Sequence, residues 1–434
     1  MSVARGGVPR ARWMRIIPVA FLMYTIAFMD RINIGLGIPS MAKDLHFSPA
    51  LAGTAFGIFF WGYLILQIPG GHLAERWSAK RFVTILLVIW GVLAILTGFV
   101  QNTWQLLAVR FALGIAEGGV WPATLVLLAH WFPVEERARA NNLWMLCLPI
   151  AAIVVSPISG GILAVSHNDW RILFWAEGAP PLVWAAVWWI FVDDRPSEAS
   201  WVSREEREHV EGKLREETGK TDLPHLNTYR KAFLSPVTWL LVVMYFFSTI
   251  PGYGISSFFP SLLKQTGLPI AAVGGLTALP FVMAVVGLLV VGVMSDRSLK
   301  RRQFIVGPMV VLGVGLIIAA AVYSGSVPVS LALFILAGLG LYAYLGPFWA
   351  AVAQLLPPET AGGAMGLINA LGNLGGFTGP FVVGYLNGTS NSFLPGFIFL
   401  GACALAMAAL TFLLRLREGR QAAGQGAPAH APGG

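Results

Sequence analysis

Charge is what this sequence has least of. Only 12% of its 434 residues are Asp, Glu, Lys or Arg, about half the share of an ordinary soluble domain, which excludes a water-soluble globular chain. Cysteine is nearly absent: Cys147 and Cys403 both fall inside apolar runs, so neither a disulfide framework nor metal-ligand spacing is implied. Long polar stretches are missing except for one, Asp193 to Lys231. There is no nucleophile with a partnered base, no metal spacing and no phosphate loop, so an enzyme and a cofactor are not expected. The short alternating segments of a transmembrane barrel are absent too.

What remains is hydrocarbon. Hydrophobic residues make up 56% of the chain, and a bilayer core of about 30 Å needs about 20 of them per helix. Twelve such windows begin near Ile16, Ala50, Phe82, Trp104, Ala140, Trp170, Ser235, Ile270, Phe304, Val327, Gly362 and Phe393. The expected fold is therefore an all-α membrane protein of twelve transmembrane helices. Of the 29 Lys and Arg, Lys43, Arg171 and Lys264 fall outside and Arg31 and Arg110 within spans; the rest fall in cytoplasmic segments if the N-terminus is cytoplasmic. The net charge of +8 thus reports topology, with both termini inside, and not a nucleic-acid partner. The basic start lacks a nearby cleavage site and is read as leading into a retained first helix.

The polar stretch splits six spans from six. Residues 1–192 are expected to form one half, 193–234 a cytoplasmic linker with a short surface helix, 235–416 the second half and 417–434 a disordered tail. Two loops repeat across the linker. GHLAERWSAKR (71–81) aligns with GVMSDRSLKRR (292–302), setting Glu75 on Asp296, Arg76 on Arg297 and Arg81 on Arg302; FPVEERARA (132–140) aligns with LPPETAGGA (356–364). The offsets are 221 and 224 residues. Two parallel six-helix pseudo-repeats around a midplane site resemble the major facilitator superfamily, whose loop signature between helices 2 and 3 is close to GHLAERWSAKR, with Glu75 for Asp and Ala79 for the second Gly. A carboxylate at a helix end beside clustered arginines suits a gating latch that breaks when the halves rock, formed by Glu75, Arg76, Arg81, Asp296, Arg297 and Arg302.

The few charges inside spans are Asp30, Arg31, Arg110, Glu117 and Glu177. A charged residue near helix centre costs roughly 2.5 to 3.5 kcal/mol, so four of them unpaired cost on the order of 10 kcal/mol. They must face one another, or water. Span 1 runs outward and span 4 inward, which sets Asp30, Arg31 and Arg110 at one level in the outer half and Glu117 deeper. Arg110 and Glu117, seven residues apart, share a helix face that Gly114 is expected to leave open. A guanidinium keeps its charge and offers a planar fork to a carboxylate, whereas a carboxylate in a dry cavity titrates nearer neutral pH. Arg31 and Arg110 are therefore candidates for binding an anion, and Glu117 and Asp30 for carrying the coupling proton. Glu177 is read as structural.

MDRINIG, RFALGIAEGGVWPA, HWFPVEERARANN and WRILFWAEG together resemble the anion:cation symporter family, with bacterial permeases for sugar acids, tartrate and aromatic acids. The resemblance makes Asp30 and Glu117 the protonatable pair, Arg31 and Arg110 the paired arginines, and Tyr63 and Asn373 cavity residues; Asn369 and Trp349 are further candidates from the residues alone. One departure is span 5, WMLCLPIAAIVVSP, apolar where sugar-acid members carry an amide, so a less hydroxylated acid is expected.

The reading is a secondary transporter taking up an organic acid anion by proton symport, a monomer in the lipid bilayer of a bacterial inner membrane. Organic-acid or organophosphate exchange through the same arginines is the alternative. It would not need the titratable acids. A multidrug exporter would be expected to lack the paired arginines, and a sensor to carry a signalling domain.

Overall fold

The computed structural model describes residues 10–218, 231, 233–298, 300–356, 358–414 and 416, without the side chains of 138, 218, 296 and 358–362. The expectations for residues 1–9, most of 219–234 and the tail from 417 lie outside the described residues. Among the described residues every regular element is helical. Ten helical runs are long and apolar enough to cross a membrane: spans 1 (Ala11–Asp44), 2 (Pro49–Arg76), 3 (Ala79–Thr97), 4 (Thr103–Trp131), 5 (Val134–Val165), 7 (Pro236–Lys264), 8 (Ile270–Ser295), 9 (Arg301–Val322), 10 (Val327–Leu355) and 12 (Leu394–Leu413). The sixth and eleventh windows are helical as well. Span 6 is Trp170–Phe191, and span 11 is two helices, Pro358–Gly372 and Gly375–Ser390.

Local signals set the ends. Ser48, Ser78, Asn102 and Ser235 each cap a span by accepting from the backbone N–H three residues on, which satisfies donors that hydrocarbon would leave orphaned. Four spans are broken in mid-course: span 4 at Gly119, span 5 at Leu146, span 10 around Gly338–Gly340 and span 11 at Asn373 and Leu374. The breaks fall in corresponding spans of the two halves, as a duplication requires.

The halves meet where span 2 packs on span 11, span 5 on span 8 and span 1 on span 7. On the side away from the linker they touch backbone to backbone. A Cβ on Gly53 would lie 2.2 Å from the carbonyl oxygen of Pro380, and one on Gly35 would lie 2.3 Å from that of Ser256. Toward the linker the halves diverge around a cavity of about 1820 Å³, bordered by Glu75 and Asn142 from one half and Gly292 and Met365 from the other. The linker helix Arg204–Thr218 rides on the first half. Arg12, buried, joins Glu206 at 2.7 Å and Glu136 at 2.6 Å, and Arg137 joins Glu217 at 2.9 Å.

Candidate functional site

Span 1 is helical straight through Asp30 and Arg31, so these neighbours leave the axis about 100° apart. They find different partners. Arg31 Nε donates to Glu117 Oε2 at 2.9 Å, and both side chains are buried. The Arg31 guanidinium lies 4.6 Å from the ring centre of Tyr63 and 5.2 Å from that of Phe59, a cation on aromatic faces that partly replaces lost hydration. Among the described residues Arg31 Nη2 and Glu117 Oε1 have no hydrogen-bond partner. Asp30, on the other side, accepts from the Trp90 indole and from Asn33 Nδ2, the latter at 3.2 Å. Arg110 donates through Nη1 to the backbone carbonyl of Asp30 at 3.1 Å and lies over Phe59 at 5.3 Å.

A cavity of about 70 Å³ lies between the halves at the head of the large one. Arg31, Tyr63, Trp349, Asn369 and Asn373 all line it, and Tyr24, Trp121, Tyr245, Tyr253 and Tyr342 are among its other walls. Five of the candidate residues therefore meet around one space, the first two from one half and the other three from the second. Asp30, Arg110 and Glu117 stand behind it. Met145 and Leu148 of span 5 add an apolar edge.

Gly114 does not open a face. A Cβ there would lie 1.9 Å from the carbonyl oxygen of Phe59: the missing side chain admits the backbone of span 2, so that Phe59 and Tyr63 reach Arg31. The amides are spoken for as well. Gln67 Nε2 donates to the Gly118 carbonyl at 2.8 Å, at the break of span 4, and Gln67 Oε1 accepts from Asn369 Nδ2 at 2.9 Å across the halves. Asn373 Nδ2 donates to the Asn369 carbonyl at 2.7 Å.

Of the latch candidates, Glu75 meets His130 Nε2 at 3.2 Å within its own half, while Arg76 borders the large cavity. The Arg81 backbone N–H donates to the Ser78 cap, Arg297 is exposed, and Arg302 Nη2 donates to the Leu414 carbonyl at 2.9 Å. The side chain of Asp296 lies outside the described residues.

Sequence reasoning passes over Trp90, Asn33 and Gln67, and gives His130, near a span end, no site role. Asn33 carried a signal, an amide one turn from Asp30 in an apolar run. Trp90 carried none, since indoles are common in spans.

Buried charges behind a central cavity, between two helical bundles that touch on one side and diverge on the other, define a multi-pass membrane transporter and not an enzyme. The chain belongs to the major facilitator superfamily, whose family model matches residues 20–274 and 241–432. It is 33% identical over 407 residues to a putative tartrate transporter of Agrobacterium vitis, covering 92% of this chain and 89% of that one. To the probable galactarate/D-glucarate transporter GarP of Escherichia coli it is 27% identical, covering 92% and 93%. Among solved structures, the inward open conformation of the xylose transporter XylE from E. coli superposes with a TM-score of 0.75 at 13% identity, covering 92% of this chain and 95% of that one, a likeness of fold.

Proposed function

We propose that the protein takes up an organic carboxylate by proton symport, through alternating access of the central cavity to the two sides of a bacterial inner membrane. The observation that carries this reading is the placement of Arg31. The residue lines the cavity, its Nε holds Glu117, and its buried Nη2 has no hydrogen-bond partner among the described residues. A carboxylate arriving there competes with Glu117 for one guanidinium. As the substrate takes over the cation, Glu117 loses its counter-charge in a dry site and binds a proton. By linkage the proton also favours the acid. The two are then carried together, and the protonated Glu117 is released from Arg31 until the cavity faces the other side.

The same geometry bears on the substrate. One guanidinium lines the cavity, its remaining walls are largely aromatic and apolar, and Asn369, Asn373 and Gln67 already bond one another. A monocarboxylate with few hydroxyls fits better than a polyhydroxylated diacid. The relatives named for tartrate and for galactarate and D-glucarate support an organic acid, and the apolar walls support a less hydroxylated one. The large cavity borders the linker, which with cytoplasmic termini makes this the cytoplasm-facing state. Each chain holds both halves, so a monomer is sufficient.

The experiment is uptake of labelled benzoate-like, hydroxybenzoate-like, tartrate and sugar acids into proteoliposomes under an imposed pH gradient. Accumulation of one of them that a protonophore collapses supports the reading. Acid-for-acid exchange indifferent to the gradient sinks it in favour of an exchanger.

A further inference from the structure

On the side away from the linker, ionisable groups are few. Apart from His46 and His167, the loops and span ends there carry Lys43, Asp44, Asp169, Arg171 and Lys264. Both acids are engaged. Asp44 accepts from Arg171 and, at 3.2 Å, from the Trp170 indole. Asp169 caps span 6, its Oδ1 accepting from the Arg171 backbone N–H at 2.9 Å. Lys43 and Lys264 are both exposed, and neither belongs to any of the ion pairs among the described residues. Two cations are left on that side with no acid to neutralise them.

Their places are matched. Lys264 follows Lys43 by 221 residues, the offset of the first loop repeat, and the same offset relates Ser256 to Gly35. Gly35 and Ser256 are where spans 1 and 7 touch backbone to backbone on the closed side. Both spans continue as helix past that contact, span 1 to Asp44 and span 7 to Lys264. Eight residues of helix carry each lysine about 12 Å beyond it, so the two stand at one level, one on each half. The charge of Lys43 is felt at Lys264, and like charges facing one another across a seam do nothing to hold it shut. Span 1 also carries Arg31, about 18 Å along the helix from Lys43 toward the cavity.

We propose that Lys43 and Lys264 form an entry site for the organic acid: when the halves part on this side, the two ammonium groups flank the mouth and draw the carboxylate in ahead of Arg31. A cleft lined by one sign of charge between walls of low dielectric focuses its field and raises the rate at which an oppositely charged solute is captured. Exposed ammonium groups are strongly hydrated and on flexible stems, so they gather the anion without retaining it. Arg31, buried and set against aromatic rings, then binds it. The pair acts on capture and leaves the step that carries the acid across unchanged. The inference rests on the proposed function only in that the substrate is an organic anion entering from this side.

The test is the Lys43→Gln/Lys264→Gln double variant of the full-length protein in right-side-out membrane vesicles, with labelled acid from the panel above outside. At low ionic strength kcat/KM for uptake is expected to fall by about tenfold, the low end of what steering supplies, while the saturating rate stays at the wild-type value. At about 1 M salt, where the screening length is about 3 Å, variant and wild type converge. A Lys43→Arg/Lys264→Arg variant keeps both charges and behaves as wild type throughout. In inside-out vesicles, where the acid meets the linker side, the glutamine variant does not differ from wild type. Equal kcat/KM at low ionic strength overturns the proposal, and so does a deficit that persists in high salt or lowers the saturating rate, since either assigns the lysines to structure. If the wild type takes up none of the acids from this side, the proposed function fails and the entry site with it, an outcome separate from a variant that matches a working wild type.

Discussion

At the scale of single residues, the site is organised by which atoms of each charged group are taken. Arg31 lines the cavity while giving Nε to Glu117, so a compact ammonium cannot replace it. Arg31→Ala and Arg31→Lys are both expected to weaken acid binding by about 30-fold or more, the equivalent of about 2 kcal/mol for breaking a buried charged contact; equilibrium binding of the transported acid to purified protein measures it. Glu117→Gln retains that binding and retains acid exchange, but loses accumulation against a gradient, since an amide accepts no proton. A Glu117→Gln variant that still concentrates the acid would remove Glu117 from the proton's path. The five ionisable residues were legible in the sequence because hydrocarbon makes each of them expensive. Their pairing was not: Trp90 reaches Asp30 from span 3 and Ser159 reaches Glu177 from span 5, and only the folded bundle brings them there.

At the scale of elements, spans 4, 5, 10 and 11 are interrupted, and at the breaks of spans 4 and 11 a freed carbonyl is satisfied from a neighbouring span. Gln67 takes the Gly118 carbonyl and Thr249 Oγ1 donates to the Gly372 carbonyl at 2.8 Å. Irregular backbone at membrane depth is tolerable on those terms. Gly118–Gly119 and the NLGG run at Asn373 are small-residue clusters that permit bending, but their spacing alone does not say that the helix is interrupted there. Gly114 was open to two readings, since a missing side chain either leaves a face free or admits another backbone, and residue spacing cannot separate them. Gly53 marks the closed side, where its Cα faces Pro380 with no room for a side chain. Gly53→Leu is expected to push spans 2 and 11 apart there and move the population toward the opposite opening. Reagent labelling of single cysteines placed on the two sides of the cavity would report it, by increased reaction on the side away from the linker; unchanged labelling would mean that this contact does not bias the two states.

At the scale of the whole molecule, the positions of the spans and the duplication were readable from charge-free windows and repeated loops, whereas the state of the cavity was not, because one sequence must serve both openings. The linker helix moves with the first half if its ion pairs hold. Glu206→Ala removes one of two acids from the buried Arg12 and is expected to cost about 1–3 kcal/mol of stability, seen as a lower Tm in detergent, with substrate specificity unaltered. A change in which acids are transported would instead place the linker in the binding machinery.

The most direct test of the account is the proton itself. Proteoliposomes with no imposed pH gradient are given an inward gradient of the transported acid, and a pH indicator follows the lumen against protein-free liposomes and the Glu117→Gln variant. The account predicts luminal acidification that accompanies uptake in wild type and is absent from the variant. Uptake of the acid without a matching proton flux in wild type would contradict it.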